Sequence, residues 1–208
     1  MMLMRLNLIP AVLASALAAL IAFPAQAEKL SLGAISGYIN GLKTAEADFR
    51  QINADGSTSK GRVIIERPGR MRFEYAPPDR TLVLASAGQV AIFDAKSNTT
   101  AEQYPLSKTP LNLILAARVD LTTAKMVVDH KEANGLTVVT AQDPRHPELG
   151  TLELAFSANP VTLRQWTVTD QAGVRTTVVL GVLTTGKRYP MDTFSINALL
   201  EKNARRQK

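Results

Sequence analysis

The only imidazoles in this chain of 208 residues are His130 and His146, and it has no cysteine. His130 lies in an alternating apolar–polar run. His146 lies in the Pro-flanked loop Asp143-Pro144-Arg145-His146-Pro147. Two isolated imidazoles cannot fill a zinc site, so they read as solvated or hydrogen-bonded structural histidines. Without cysteine there is no thiolate metal site, no disulfide framework and no cysteine nucleophile. No nucleophile elbow, P-loop or dinucleotide fingerprint occurs. The nearest carboxylate pairs, Glu46 with Asp48 and Asp143 with Glu148, fit a polar strand face and a turn better than an acid–base couple. The expectation is no catalytic residue, no metal, no cofactor and no enzyme activity.

The residues left to carry a function are apolar, and they alternate. Met71, Phe73 and Tyr75 face one way while Arg70, Arg72 and Glu74 face the other. Val63, Ile65 and Arg67 share a face, and Leu152, Leu154 and Phe156 repeat the pattern. This period of two marks half-buried strands. Similar runs near 45–52, 81–86, 89–94, 99–104, 125–132, 136–142, 162–170, 174–183 and 192–196 bring the expectation to about eleven strands. Turn residues separate many of them, among them Pro68-Gly69, Pro77-Pro78, Ala87-Gly88, Asn134-Gly135, Asn159-Pro160 and Ala172-Gly173. Links this short force antiparallel neighbours. A sheet of that size is expected to curl strongly. Its concave face must then be filled by side chains, by a helix or by an apolar ligand; an ordinary packed core is the alternative.

Helical spacing appears in few places. Ser31 is placed to cap a helix running to about Leu42, with Leu32, Ile35, Ile39 and Leu42 as its apolar stripe. Gly33, Gly37 and Gly41 fall on another face and each costs about 1 kcal/mol against alanine. They either admit a close backbone or keep the helix weak. Thr109 as cap and Pro110 at the first helical position open a second segment of about eight residues, 110–117. It is apolar nearly all round through Leu111, Leu113, Ile114 and Leu115, so it needs cover. A last helix is expected from about Ala198 to Arg205.

The first 27 residues read as a secretory signal. Arg5 is the positive start, Leu6 to Phe23 the apolar run, and Ala25-Gln26-Ala27 the cleavage signal. Cleavage after Ala27 leaves residues 28–208 as a single domain outside the cytoplasm, with no second run of the roughly 18 apolar residues a membrane span needs. The net charge of +6 is spread along the chain apart from Lys202, Arg205, Arg206 and Lys208. No basic stripe with interleaved aromatics argues for nucleic acid.

The order of motifs from Phe49 to Leu115 resembles the LolA family of periplasmic outer-membrane lipoprotein carriers. It reads Phe49-Arg50-Gln51, Gly61 before a strand, Arg67-Pro68-Gly69-Arg70-Met71-Arg72-Phe73-Glu74-Tyr75, Pro78, Gly88, Ile92-Phe93-Asp94, then Thr109-Pro110-Leu111 opening an apolar helix. The resemblance implies a mainly β (α+β) fold, an incomplete, strongly curled antiparallel barrel with short helices as a lid over an apolar cavity. It implies a monomeric periplasmic carrier of acylated lipoproteins. Such a carrier takes cargo from an inner-membrane ABC-type releasing transporter and delivers it to an outer-membrane lipoprotein receptor. A carrier of a free lipid, or a packed structural or sensor module, are the alternatives.

Under that frame the cavity is expected to be lined by Phe49, Val63, Ile65, Met71, Phe73, Tyr75 and Phe93. A one-residue slip in register would turn any such set outward. Arg67, on the face of Val63 and Ile65, carries five donors that suit the carbonyls of a lid segment. The resemblance gives it the role of a latch on the closed, empty lid, the alternative being a surface arginine at the Pro68-Gly69 turn.

Overall fold

The computed structural model describes residues 29–94 and 101–206; the segment expected to be cleaved lies outside them. Helix α1 (Leu32–Gly41) starts where the Ser31 hydroxyl accepts from the Ala34 amide at 3.1 Å, satisfying one of the free donors at a helix start. Ile35 and Ile39 are buried, Leu42 follows them, and Leu32 packs alongside. A Cβ on Gly37 or Gly41 would meet nothing within 4 Å. Close backbone approach is therefore not their purpose, and the reading that survives is a weakly stable helix.

Twelve strands form one antiparallel sheet among the described residues. They are β1 (Thr44–Ile52), β2 (Thr58–Glu66), β3 (Arg70–Tyr75), β4 (Leu82–Ser86), β5 (Gln89–Phe93), β6 (Glu102–Pro105), β7 (Val127–Ala133), β8 (Leu136–Gln142), β9 (Thr151–Ala158), β10 (Val161–Thr169), β11 (Arg175–Leu180) and β12 (Thr184–Thr185). The order is β6-β5-β4-β3-β2-β1-β11-β10-β9-β8-β7, with β12 also on β1. Some links are tight hairpins such as Asn134-Gly135, where both residues take positive φ, 53° and 73°, as a two-residue turn between twisted strands requires.

The two edges, β6 and β7, are consecutive in sequence but unpaired with each other. Residues 106–126 must therefore cross the open side of the barrel. That crossing holds a 3-10 turn (Leu106–Lys108) and helix α2 (Asn112–Leu115). Bonds from Arg67 and Gly69 to the Ala116 and Leu115 carbonyls seat the end of α2 at the β2–β3 turn.

Two expectations need correction here. The run 192–196 is not a strand. Met191–Phe194 is a 3-10 turn, and the Ser195 hydroxyl accepts from the Ala198 amide at 3.2 Å to start α3 (Ile196–Arg206). Alternation there reflected the burial of Phe194 and not a sheet ladder. Thr109 does not cap α2: its hydroxyl donates to the Leu106 carbonyl at 2.9 Å, completing the 3-10 turn, and the helix is one turn of four residues.

The sheet packs on both faces. Inside, β1–β3 and β8–β11 enclose a continuous apolar core with α1 and α2. Outside, α3 lays Ile196, Leu199 and Leu200 against Leu84, Ala91 and Phe93. The strap before α3 is tied to the outer face by polar contacts. Glu46 accepts from Tyr189 at 2.8 Å and from Lys187 at 3.0 Å, and Arg62 lies at 3.1 Å. Arg72 donates to the Thr193 carbonyl at 2.8 Å, and Arg70 stacks 5.8 Å over the Phe194 ring. The bonds from Lys187 and Tyr189 hold the Glu46 carboxyl below its ordinary pKa. Burial, with help from Glu46, pushes the Tyr189 phenol up to about 12.

Candidate apolar binding site

Arg67 follows β2 directly and is 8% exposed. Its backbone amide donates to the Lys43 carbonyl at 2.8 Å, fixing it against the end of α1. One Nη donates to the Ile39 carbonyl in the last turn of α1. The other donates to the Ala116 carbonyl at the end of α2, at 2.6 Å. The guanidinium thus sits where two helices end, the place where free carbonyls and the helix dipole favour a cation. Gly69, at φ 72°, donates its amide to the Leu115 carbonyl at 2.9 Å. Arg67 is therefore a buried arginine, and with Gly69 it binds the carbonyl ends of α1 and α2. Burial lowers the pKa of Arg67, and its Nε has no hydrogen-bond partner among the described residues. This site leaves one buried donor unpaid in the closed arrangement.

Side chains of α1 also bond the segment after α2. Asn40 donates to the Val119 carbonyl at 2.8 Å and accepts from the Val119 amide at 2.9 Å. Ser36 accepts from the Leu121 amide at 3.0 Å and donates to the Leu32 carbonyl. Tyr38 reaches across to β10, accepting from the Leu163 amide at 3.1 Å where the β9–β10 register shifts. Burial raises the pKa of Tyr38. Asn40 and Ser36, four residues apart beside the apolar stripe, were missed in the sequence; polar residues at that spacing next to a buried face were the available signal.

Beneath the lid lies an apolar cavity of about 20 Å³. Its walls are Tyr38, Ile39, Leu42, Ile65, Arg67, Ile114, Leu115, Leu154 and Leu163. Ligand pockets usually measure roughly 300–1,000 Å³, so the space between these side chains is far smaller than a ligand pocket. Of the residues expected to line it, Ile65 and the lid residues Ile114 and Leu115 do. Val63 and Met71 are buried on the same inner face. Phe49, Phe73 and Tyr75 are also inside but lie farther along the strands, as a ring cluster joined by Trp166. Leu111 and Leu113 pack at the margin of the core.

Phe93 is a correction. Along β5 Val90 joins the inner core while Ala91 and Phe93 join the outer cluster under α3. The pairing Leu82↔Phe93 puts both on the convex side. A strand buried on both faces gives no alternation from which to read the inner side.

His130 Nε2 is 2.9 Å from the Leu30 carbonyl and anchors the chain before α1; His146 contacts Glu148 at 3.2 Å. No group of three or more His, Asp or Glu suited to a metal occurs among the described residues.

The fold is an open antiparallel half-barrel with two short helices joined through one arginine beside an apolar interior. Residues 40–197 match the family model described as outer membrane lipoprotein carrier protein LolA, and the chain belongs to that family. Curated relatives agree. An outer-membrane lipoprotein carrier protein of Chromobacterium violaceum is 26% identical over 178 residues, covering 83% of this chain and 84% of the relative. One from Methylococcus capsulatus is 25% identical over 172 residues, covering 79% and 82%. Among solved structures, a LolA superfamily protein from Nitrosomonas europaea aligns over 81% of this chain and 99% of its own, at 10% identity and TM-score 0.41. A DUF1329 family protein from Desulfovibrio piger aligns over 81% and 96%, at 9% identity and TM-score 0.46.

Proposed function

We propose that this protein is a non-catalytic periplasmic carrier that shields the acyl chains of lipoproteins on their way from the inner to the outer membrane. The observation that carries this is Arg67 joining the Ile39 and Ala116 carbonyls above an apolar interior, in a chain whose relatives are named lipoprotein carriers. Each methylene shielded from water is worth about 0.8 kcal/mol, so a multiply acylated segment cannot cross an aqueous compartment unescorted. The lid opens when acyl chains replace its contacts and closes when Arg67 recaptures the two carbonyls. On this reading the signal is removed after Ala27 and residues 28–208 act as a monomeric domain. Cargo comes from an ABC-type releasing transporter and goes to an outer-membrane receptor, with no cofactor and no nucleic acid involved.

The closed cavity of about 20 Å³ favours one other reading, a packed structural or sensor module of the same fold. Native mass spectrometry of protein drawn from the periplasm separates the readings. A co-purifying acyl-peptide supports the carrier, a free lipid redirects it to lipid transport, and an empty chain supports the module. Depletion should strand lipoproteins on the inner membrane; unchanged sorting would refute the carrier role.

A further inference from the structure

The inner face changes character along the barrel. Near the lid it is built from small and flexible residues: Ala45, Ala47 and Ala85 beside Ile65 and Met71, all buried. Farther from the lid on β1, β3 and β10 stand Phe49, Phe73, Tyr75 and Trp166. Phe49 meets Phe73 and Tyr75 edge-on at 5.3 and 5.1 Å, and Trp166 meets Phe73 at 6.0 Å. Edge-to-face packing at these distances is an arrangement that aromatic pairs prefer. Gly61 lies between Phe49 and Tyr75 in register, so no side chain separates the two rings.

A chain of polar bonds runs from the far side of this cluster into the β1–β2 hairpin. The Tyr75 hydroxyl donates to Gln51 at 2.6 Å, Gln51 donates to Asn53 at 2.7 Å, and Asn53 donates to Ser57 at 2.9 Å. Burial above all pushes the Tyr75 phenol up to about 12, so it remains a neutral donor. On the carrier reading, an apolar chain entering from α2 would meet aliphatic walls first, then the ring cluster.

Resting on the acyl-carrier reading, we infer that Phe49, Phe73, Tyr75 and Trp166 form a rigid floor that sets the longest acyl chain the barrel accepts. The lid and its latch decide whether a chain enters; the floor decides how far it goes.

The test uses the whole mature chain, an apolar fluorescent dye as probe, and one peptide N-acylated with lauroyl, myristoyl, palmitoyl or stearoyl groups. Phe73→Leu removes ring volume from the floor and should move the preferred chain to a longer one, with affinity rising about fourfold per methylene newly buried. Trp166→Phe, which keeps a ring, should shift it less in the same direction and serves alone should Phe73→Leu not fold. Leu199→Ala, on the outer face under α3, should loosen the fold without moving the preference. An unchanged chain-length profile in a folded floor variant, or an equal shift in Leu199→Ala, overturns the floor. A wild-type protein from which no acyl peptide displaces the dye overturns the carrier reading itself.

Discussion

Asn40 pairs with Val119 through both edges of its side-chain amide, giving a hydrogen bond to the carbonyl at 2.8 Å and taking one from the amide at 2.9 Å. A side chain here does what a neighbouring strand would do. With Ser36 on Leu121 and Arg67 on both helix ends, it ties α1 to residues 116–121, the unit proposed as the lid. Asn40→Ala leaves a buried donor and acceptor unmatched, a cost of about 1–3 kcal/mol. Amide exchange at Val119 and Leu121 should accelerate well beyond the change at the β8–β9 ladder. Uniform acceleration across the barrel would mean that the two parts are not a separable unit.

If Arg67 is the proposed latch, Arg67→Leu acts on the closed state alone. Its two charge-assisted bonds to the Ile39 and Ala116 carbonyls would hold the lid down, and an opened lid would have neither. Removing them shifts the population toward open, cargo-competent forms, and each 1.4 kcal/mol of shift is about tenfold in apparent affinity. The variant should take up acylated peptide more tightly and pass it on more slowly. Stopped-flow transfer to a receptor or to lipid vesicles measures both. Wild-type transfer by Arg67→Leu would remove the latch.

Glu46 ties the C-terminal strap to β1, and its carboxyl is held below the ordinary value chiefly by the bonds from Lys187 and Tyr189. A carboxyl depressed in the folded state stabilises above its unfolded pKa, and that contribution is lost as pH falls through the folded pKa. Limited proteolysis between Gly186 and Pro190 should therefore rise on acidification below about pH 4.3, the ordinary glutamate value. Glu46→Gln should be cut readily at neutral pH and show little further change. An acid response that persists in Glu46→Gln would place the titrating group elsewhere.

Much of this fold was legible because period-two patterns and paired turn residues leave few alternatives. Met71, Phe73 and Tyr75 against Arg70, Arg72 and Glu74 fix the inner side of β3, since only one face is apolar. The same reasoning failed at Phe93 because α3 buries the outer face too, and nothing local to β5 announces a helix a hundred residues later. Phe194 looked like a strand residue because one buried aromatic in a short run carries no period. Arg67 was readable as a donor needing carbonyls, but the identity of those carbonyls, Ile39 and Ala116, is set by how two distant helices end against one turn. The floor was hidden for a related reason: Phe49, Phe73 and Tyr75 share a face with Ile65, and depth along a barrel is not a property of facing.

Helix α3 covers Leu84, Ala91 and Phe93. A chain ending at Ser195 would expose that apolar patch, and exposed patches promote association. The truncated protein should melt earlier and self-associate, as seen by light scattering, yet displace an apolar dye with acylated peptide as the full chain does. Loss of displacement in a soluble monomeric fraction would tie the outer cluster to the cavity.

Ile114 distinguishes a moving lid from a fixed core. It is buried in α2, a helix of four residues that cannot persist alone in water. Its support comes from Arg67 and Gly69 at the carbonyl end, from Asn40 and Ser36 on the following segment, and from the apolar surface below. In a fixed core, Ile114→Ser would cost about 2–5 kcal/mol, the range for truncating a buried aliphatic. In a lid, the variant opens locally and escapes most of that cost, because the barrel beneath it stays folded without α2. Urea unfolding should therefore show a loss well under that range, while affinity for acylated peptide changes. Hydrogen exchange over residues 110–117 supplies the second reading. The wild type should exchange there by local opening, faster than β1 or β9, and acylated peptide should change that rate. Protection equal to the central strands and unmoved by ligand would make α2 part of the core and leave the cavity without a door.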